Sequence, residues 1–164
     1  MGDFSFDNLR VRDGVKGAVL ATCSLIVVPY VMYFVIRDMS AGSLTSHDFQ
    51  ALSAFILYAI ILGAAVTVTI YLYGCYPRGS ESRLLFGMSS GALIVAYSFI
   101  ALVMSGLSPV FSDIGIQLDT KYVALMVAYA SAPLMFSAVA EFVASRKSWL
   151  ESAVSVQKRT VSVP

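Results

Sequence analysis

The sequence predicts an all-α integral membrane protein, built as an antiparallel bundle of four transmembrane helices. Three observations predict it. First, 58% of the 164 residues are hydrophobic and 13% are charged. Soluble domains have about 45–50% and about 25%. Mean hydropathy is +0.79. So few ionisable side chains do not supply the charged shell of a soluble domain, and so apolar a chain does not fit disorder. Second, the windows 17–36, 49–77, 84–112 and 122–140 contain no Asp, Glu, Lys, Arg or His. They hold 20, 29, 29 and 19 residues. A hydrocarbon core of about 30 Å takes about 20 apolar residues of helix. Third, basic residues alternate in number from flank to flank. Nine of them lie in the N-terminal segment (Arg10, Arg12, Lys16), loop two (Arg78, Arg83) and the tail (Arg146, Lys147, Lys158, Arg159). The other two, Arg37 and Lys121, lie in loops one and three. This bias puts both the N-terminal segment 1–16 and the tail 145–164 on the cytoplasmic side. The length fits a single membrane domain. A net charge of +1 offers no field for nucleic acid.

Helix one is expected over 17–36. Its apolar run exceeds that of a signal peptide, and no cleavage pattern follows it, so it reads as a span. It carries Gly17-x3-Ala21 and Pro29. Proline inside a helix removes one hydrogen bond and frees a carbonyl one turn earlier, here near Leu25. Loop one contains Gly42 and ends in Thr45-Ser46-His47-Asp48, the pattern of a capping box.

Helix two is expected over 51–74, with Ala59-x3-Gly63-x3-Thr67. Pro77 and Gly79 then stop the helix and turn the chain. Helix three is expected over 84–107. It reads Gly87-x3-Gly91, followed by Ser98, Ala101 and Ser105 near the same face. Loop three runs from Pro109 to Thr120, where Asp119 or Thr120 can cap the last helix. Helix four is expected over 121–144, with Ala124-x3-Ala128-x3-Ala132 and Pro133. Tyr71, Tyr73, Tyr76 and Trp149 fall at the inner boundary; Tyr33, Phe34, Phe49 and Tyr122 fall at the outer one. This is an aromatic belt.

In lipid, helices are held by close backbone approach rather than by hydrophobic burial. Gly63, Gly87, Gly91 and Ala128 are therefore the expected helix-packing positions. They pack within the chain or, for Gly87 and Gly91, against another subunit. Hydroxyls at membrane depth need partners. Serine can bond back to its own helix, but tyrosine cannot easily do so. Tyr97 and Tyr129 are thus expected to face protein, water or a ligand, and with Ser98 and Ser131 they form the candidate polar cavity. Tyr30 is a further hydroxyl at depth. Pro29 and Pro133 are the candidate hinges.

Chemistry-bearing residues are few. Glu141, the carboxylate within helix four, lies five residues before Arg146. It is too shallow for a midplane proton site and reads as a snorkelling or arginine-paired surface carboxylate, with gating of a cytoplasmic vestibule the alternative. His47 is the sole histidine, which does not suffice for bis-histidine haem or for zinc. Adjacent Ser46, His47 and Asp48 point away from one another, unlike a catalytic triad. Cys23 and Cys75 form no C-x-x-C and read as structural thiols on the reducing side. Asp113 and Asp119 do not make a calcium ladder. There is no phosphate loop, and Asn8 lies in no glycosylation sequon.

No catalytic, cofactor-binding or metal-binding residue is expected. Phe4, Phe6 and Leu9 suit an interfacial stretch, and the basic tail suits anionic lipid or disorder. The expected function is non-catalytic: an accessory or assembly subunit, or a scaffold, of a membrane complex. The expected partners are the lipid bilayer and other membrane subunits, or the chain itself as a homo-oligomer. The alternative is an oligomeric channel or small-solute transporter with a hydroxyl-lined path.

Overall fold

The computed structural model describes residues 10–39, 45–105, 107 and 119–161, and all secondary structure among them is helical. Four helices are long and apolar enough to cross a membrane. We label them α1 (residues 11–39), α2 (Ser46–Cys75), α3 (Glu81–Met104) and α4 (Thr120–Val161). The expectations on Phe4, Phe6, Asn8, Leu9, Gly42 and Asp113 lie outside the described residues.

The helices outrun the apolar windows. α1 begins at Val11, with Asp13 in its first turn, where a negative charge complements the helix dipole. α4 continues to Val161, well past the expected end at 144. Residues 145–161 contain neither glycine nor proline, so nothing stops the helix where the hydrophobicity ends. The apolar windows therefore mark the stretches apolar enough to span, while stop signals mark the helix ends.

The ends are capped as their residues dictate. Thr45 and Asp48 form a reciprocal capping box on α2. The Thr45 N–H donates to Asp48 Oδ2 at 2.8 Å, and the Asp48 N–H donates to Thr45 Oγ1 at 3.4 Å. Ser80 caps α3, accepting from the Arg83 N–H at 3.2 Å and donating to the Pro77 carbonyl at 2.8 Å. Asp119 Oδ1 accepts from the Lys121 N–H at 2.9 Å at the start of α4. Gly79 turns the chain between α2 and α3 at φ +83°, a conformation open to glycine.

Pro29 leaves a visible mark on α1. The chain winds as a π-helix over Cys23–Val27, and the Val28 N–H donates to the Cys23 carbonyl. Such single-turn π segments occur inside α-helices. Leu25 stands four residues before Pro29, which has no N–H to give its carbonyl. A second π segment, Phe99–Met104, follows Ser98 in α3.

α2 and α3 are the inner helices. A third of each central span is buried (33%), against 11% for α1 and 17% for α4. The core is Leu52, Phe55, Ala59 and Val66 of α2 against Tyr97 and Ala101 of α3. The beginning of α1 lies on the end of α2: the Arg10 N–H donates to the Cys75 carbonyl at 2.8 Å. Here Gly14 and Gly74 meet backbone to backbone. A Cβ on Gly74 would come within 2.7 Å of Gly14 Cα. Further along, Gly63 accepts the π segment of α1, and a Cβ there would meet Ile26 Cγ1 at 2.9 Å.

α3 packs on α4 through its glycines. A Cβ on Gly87 would stand 2.7 Å from Ala138 Cβ and 2.9 Å from the Tyr73 ring. Gly91 takes the side chain of Met135. Thr120, Ala124, Ser131 and Ala138 form the buried line of α4. Ala128 lies beside that line, half-buried.

Candidate functional site

Among the described residues, polar groups gather where α1 begins, α2 ends, α3 begins and α4 passes. Glu141 is the hub. Its carboxylate accepts from Arg78 Nε at 2.8 Å, from Arg83 Nε at 3.1 Å and from the Tyr73 hydroxyl at 2.9 Å. Three elements place these groups: α4 carries Glu141, the α2–α3 turn carries Arg78, and the first turn of α3 carries Arg83. Helix spacing sets Tyr73 on the α2 face that meets Gly87 and Ala138.

Arg83 does more than pair. Its side chain is 16% exposed, and Nη1 donates to the Tyr73 and Tyr76 carbonyls at 3.1 and 2.9 Å. Those carbonyls end α2, where a helix leaves its acceptors unpaired and a cation is favourable. The guanidinium also lies over the Tyr73 ring, 4.4 Å from its centroid. Arg78 is 70% exposed and, among the described residues, bonds only Glu141. A second pair, Arg146 with Glu81 at 2.8 Å, ties α4 to α3, and Arg146 lies 4.9 Å from the Trp149 ring centroid.

Beside this network lies a cavity of about 400 Å³. Arg10, Asp13, Tyr73, Gly74, Arg78 and Arg83 line it, with apolar Ile70 deeper along α2. Three arginines thus line one space with a single carboxylate among the described residues. Arginine pairing at Glu141 is readable from the sequence; the placement of Arg10 beside Arg78 and Arg83 is not. Gly14 and Gly74 lie on different helices, 60 residues apart in the sequence, and their pairing has no local signal.

The hydroxyls expected in one polar cavity are not brought together. Tyr97 is buried, and its hydroxyl donates to the Leu25 carbonyl at 3.0 Å. The carbonyl left without an α-helical partner by Pro29 thus receives one from α3. Ser98 and Ser131 are buried too, but each bonds back to its own helix, to the Val95 and Ala128 carbonyls at 2.8 and 2.7 Å. Tyr129 departs from the expectation. It is 78% exposed on the outer surface of α4. Two residues of helix turn the chain by about 200°, so Tyr129 and buried Ser131 face opposite ways. Tyr30 is also exposed, on α1. Pro29 is buried beside the π segment, whereas Pro133 is exposed within unbroken helix.

Cys23 is exposed and Cys75 is buried; both are free thiols. Among the described residues, no group of three or more His, Cys, Asp or Glu side chains is placed to hold a metal ion. No family model, curated protein or solved structure matches the chain.

Proposed function

We propose that this chain is a multi-pass membrane protein that acts without catalysis, as an accessory or assembly subunit, or a scaffold, of a membrane complex. It inserts as an antiparallel bundle with both termini cytoplasmic. Four apolar helices of spanning length support the insertion. The pairing of the start of α1 with the end of α2 supports the antiparallel order, as does that of Gly79 with Ser145 and Gly91 with Met135. The gathering of Arg10, Arg78, Arg83 and Arg146 at one end supports the orientation.

The observation that carries the subunit reading is Tyr129. It stands nine residues into α4, about 13 Å along the helix axis, close to the middle of a core of about 30 Å. At that depth its hydroxyl aims away from the bundle and makes no hydrogen bond within the described residues. A hydroxyl moved from water to hydrocarbon without a partner costs about 4–8 kcal/mol. A neighbouring subunit with an acceptor at that depth removes the cost. Tyr122, Tyr129, Phe136 and Val143, spaced by seven, line the same outer face, all more than two-thirds exposed or nearly so (67, 78, 74 and 71%). Spacing by seven is the seam of a packed helix pair.

A hydroxyl-lined solute path draws less support, because Tyr97, Ser98 and Ser131 spend their hydroxyls on internal carbonyls. The test is purification in mild detergent with the mass of the intact complex. A mass above the 17.6 kDa of one chain, with a second component present, supports the subunit reading. A symmetric oligomer with a water-lined axis supports the path instead, and a lone monomer opposes both.

A further inference from the structure

We propose that the arginine-lined cavity between the beginning of α1 and the end of α2 binds a phosphate group, and that in the membrane this is the phosphate of an anionic lipid headgroup. Three features of the site point there together. The first is unused donor capacity. A guanidinium has five N–H donors. Arg83 spends Nε on Glu141 and Nη1 on two carbonyls. Arg78 spends only Nε, on Glu141. Arg10 makes no side-chain hydrogen bond or ion pair within the described residues, and its backbone N–H alone is engaged, on Cys75. Forked guanidinium donors match the oxygens of phosphate.

The second feature is charge. Arg10, Arg78 and Arg83 line the space, with Asp13 the one carboxylate in its lining among the described residues. Glu141 stands behind the arginines and takes one bond from each of Arg78 and Arg83. The five groups together keep one positive charge, which a singly charged phosphodiester neutralises. Asp13 then offers an acceptor to a headgroup hydroxyl, so a glycerol headgroup suits the lining better than a bare phosphate.

The third feature is place and room. About 400 Å³ exceeds what one small anion fills, and Gly74 contributes no side chain to the space. The cavity opens where the apolar windows end, at Lys16–Gly17 and Pro77–Arg78. That is the level of the lipid phosphates when the helices span a bilayer, and basic pockets at this level take up anionic headgroups. The choice of a lipid as source rests on the spanning reading proposed above, but the phosphate chemistry does not.

The test uses the full chain, purified in a neutral detergent. Binding of phosphatidylglycerol, phosphatidylcholine and inorganic phosphate is measured by titration, with bound lipid counted by mass spectrometry of the intact protein. Arg10→Gln is the main variant, because among the described residues the Arg10 side chain has no hydrogen-bond or ion-pair partner to lose. Arg78→Gln is the second, and thermal unfolding checks that both remain folded. Phosphatidylglycerol is expected to bind more tightly than phosphatidylcholine. Each variant should lose about fivefold in affinity, as expected for one basic residue near an anionic surface. Inorganic phosphate binding alone, with the same loss in Arg10→Gln, would keep the phosphate site and overturn the lipid source. Equal affinity of wild type and both variants for every probe would overturn the site itself. A monomeric mass in detergent bears on the subunit reading and leaves this result unaffected.

Discussion

Tyr97 and Tyr129 have the same side chain and opposite surroundings. The Tyr97 hydroxyl closes a gap that Pro29 opens, by donating to the Leu25 carbonyl at 3.0 Å. Hydrogen bonds between membrane helices are worth about 0.6–2 kcal/mol. Tyr97→Phe should therefore lower stability by about 1 kcal/mol, read as a lower unfolding midpoint in detergent; an unchanged midpoint would remove the bond from the account. Glu141 carries more. Its loss strands Arg83, whose side chain is 16% exposed, next to the half-buried Tyr73 hydroxyl. Breaking a largely buried pair from one side costs about 3 kcal/mol. Glu141→Ala should cost close to that, and Arg78→Ala under about 1 kcal/mol, because Arg78 is 70% exposed. Equal losses in the two variants would contradict the hub. The freed carbonyl at Leu25 and the arginine-paired state of Glu141 were legible, because both follow from local chemistry. Which hydroxyl would reach Leu25 was not, since 72 residues separate the two.

At the level of the helices, glycine sets the distances. Gly87 and Gly91 face α4 within the chain, on Ala138 and Met135, so the stripe serves the bundle itself. Gly91→Leu pushes four heavy atoms into the Met135 side chain, and overpacking of this kind costs about 1–3 kcal/mol. The midpoint of unfolding should fall accordingly. Adding Met135→Ala, which vacates the contested space, should return part of the loss. No recovery in the double variant would place the strain elsewhere. Small residues repeated every four positions made Gly63, Gly87 and Gly91 readable as packing positions. Gly14 and Gly74 form an equally close contact, yet they lie 60 residues apart in the sequence, and only the fold brings them together. Helix ends were read less well than spans. Hydropathy falls at 144, but α4 runs to Val161 because no glycine or proline interrupts it. The capping box of Thr45 and Asp48, by contrast, is spelled in four consecutive residues.

For the whole molecule, the division between inside and outside decides the function. α2 and α3 supply the core, while α1 and α4 show long apolar faces. The charge-free windows made the four spans legible, since each is a statement about what is absent from about 20 consecutive positions. The outward direction of Tyr129 was not legible, because residues 122–140 carry no charged side chain to mark a solvent or lipid face. Burial of Thr120, Ala124, Ser131 and Ala138 settles which face turns inward. The central claim is that another chain covers the outer face around Tyr129. The most direct measurement is the mass of the intact complex in mild detergent, for wild type and for Tyr129→Phe, across a dilution series. The account predicts a wild-type complex heavier than one chain of 17.6 kDa. It also predicts that Tyr129→Phe dissociates at about fivefold higher concentration, the equivalent of about 1 kcal/mol. A wild-type protein that is monomeric at every concentration, with no second component, would contradict it.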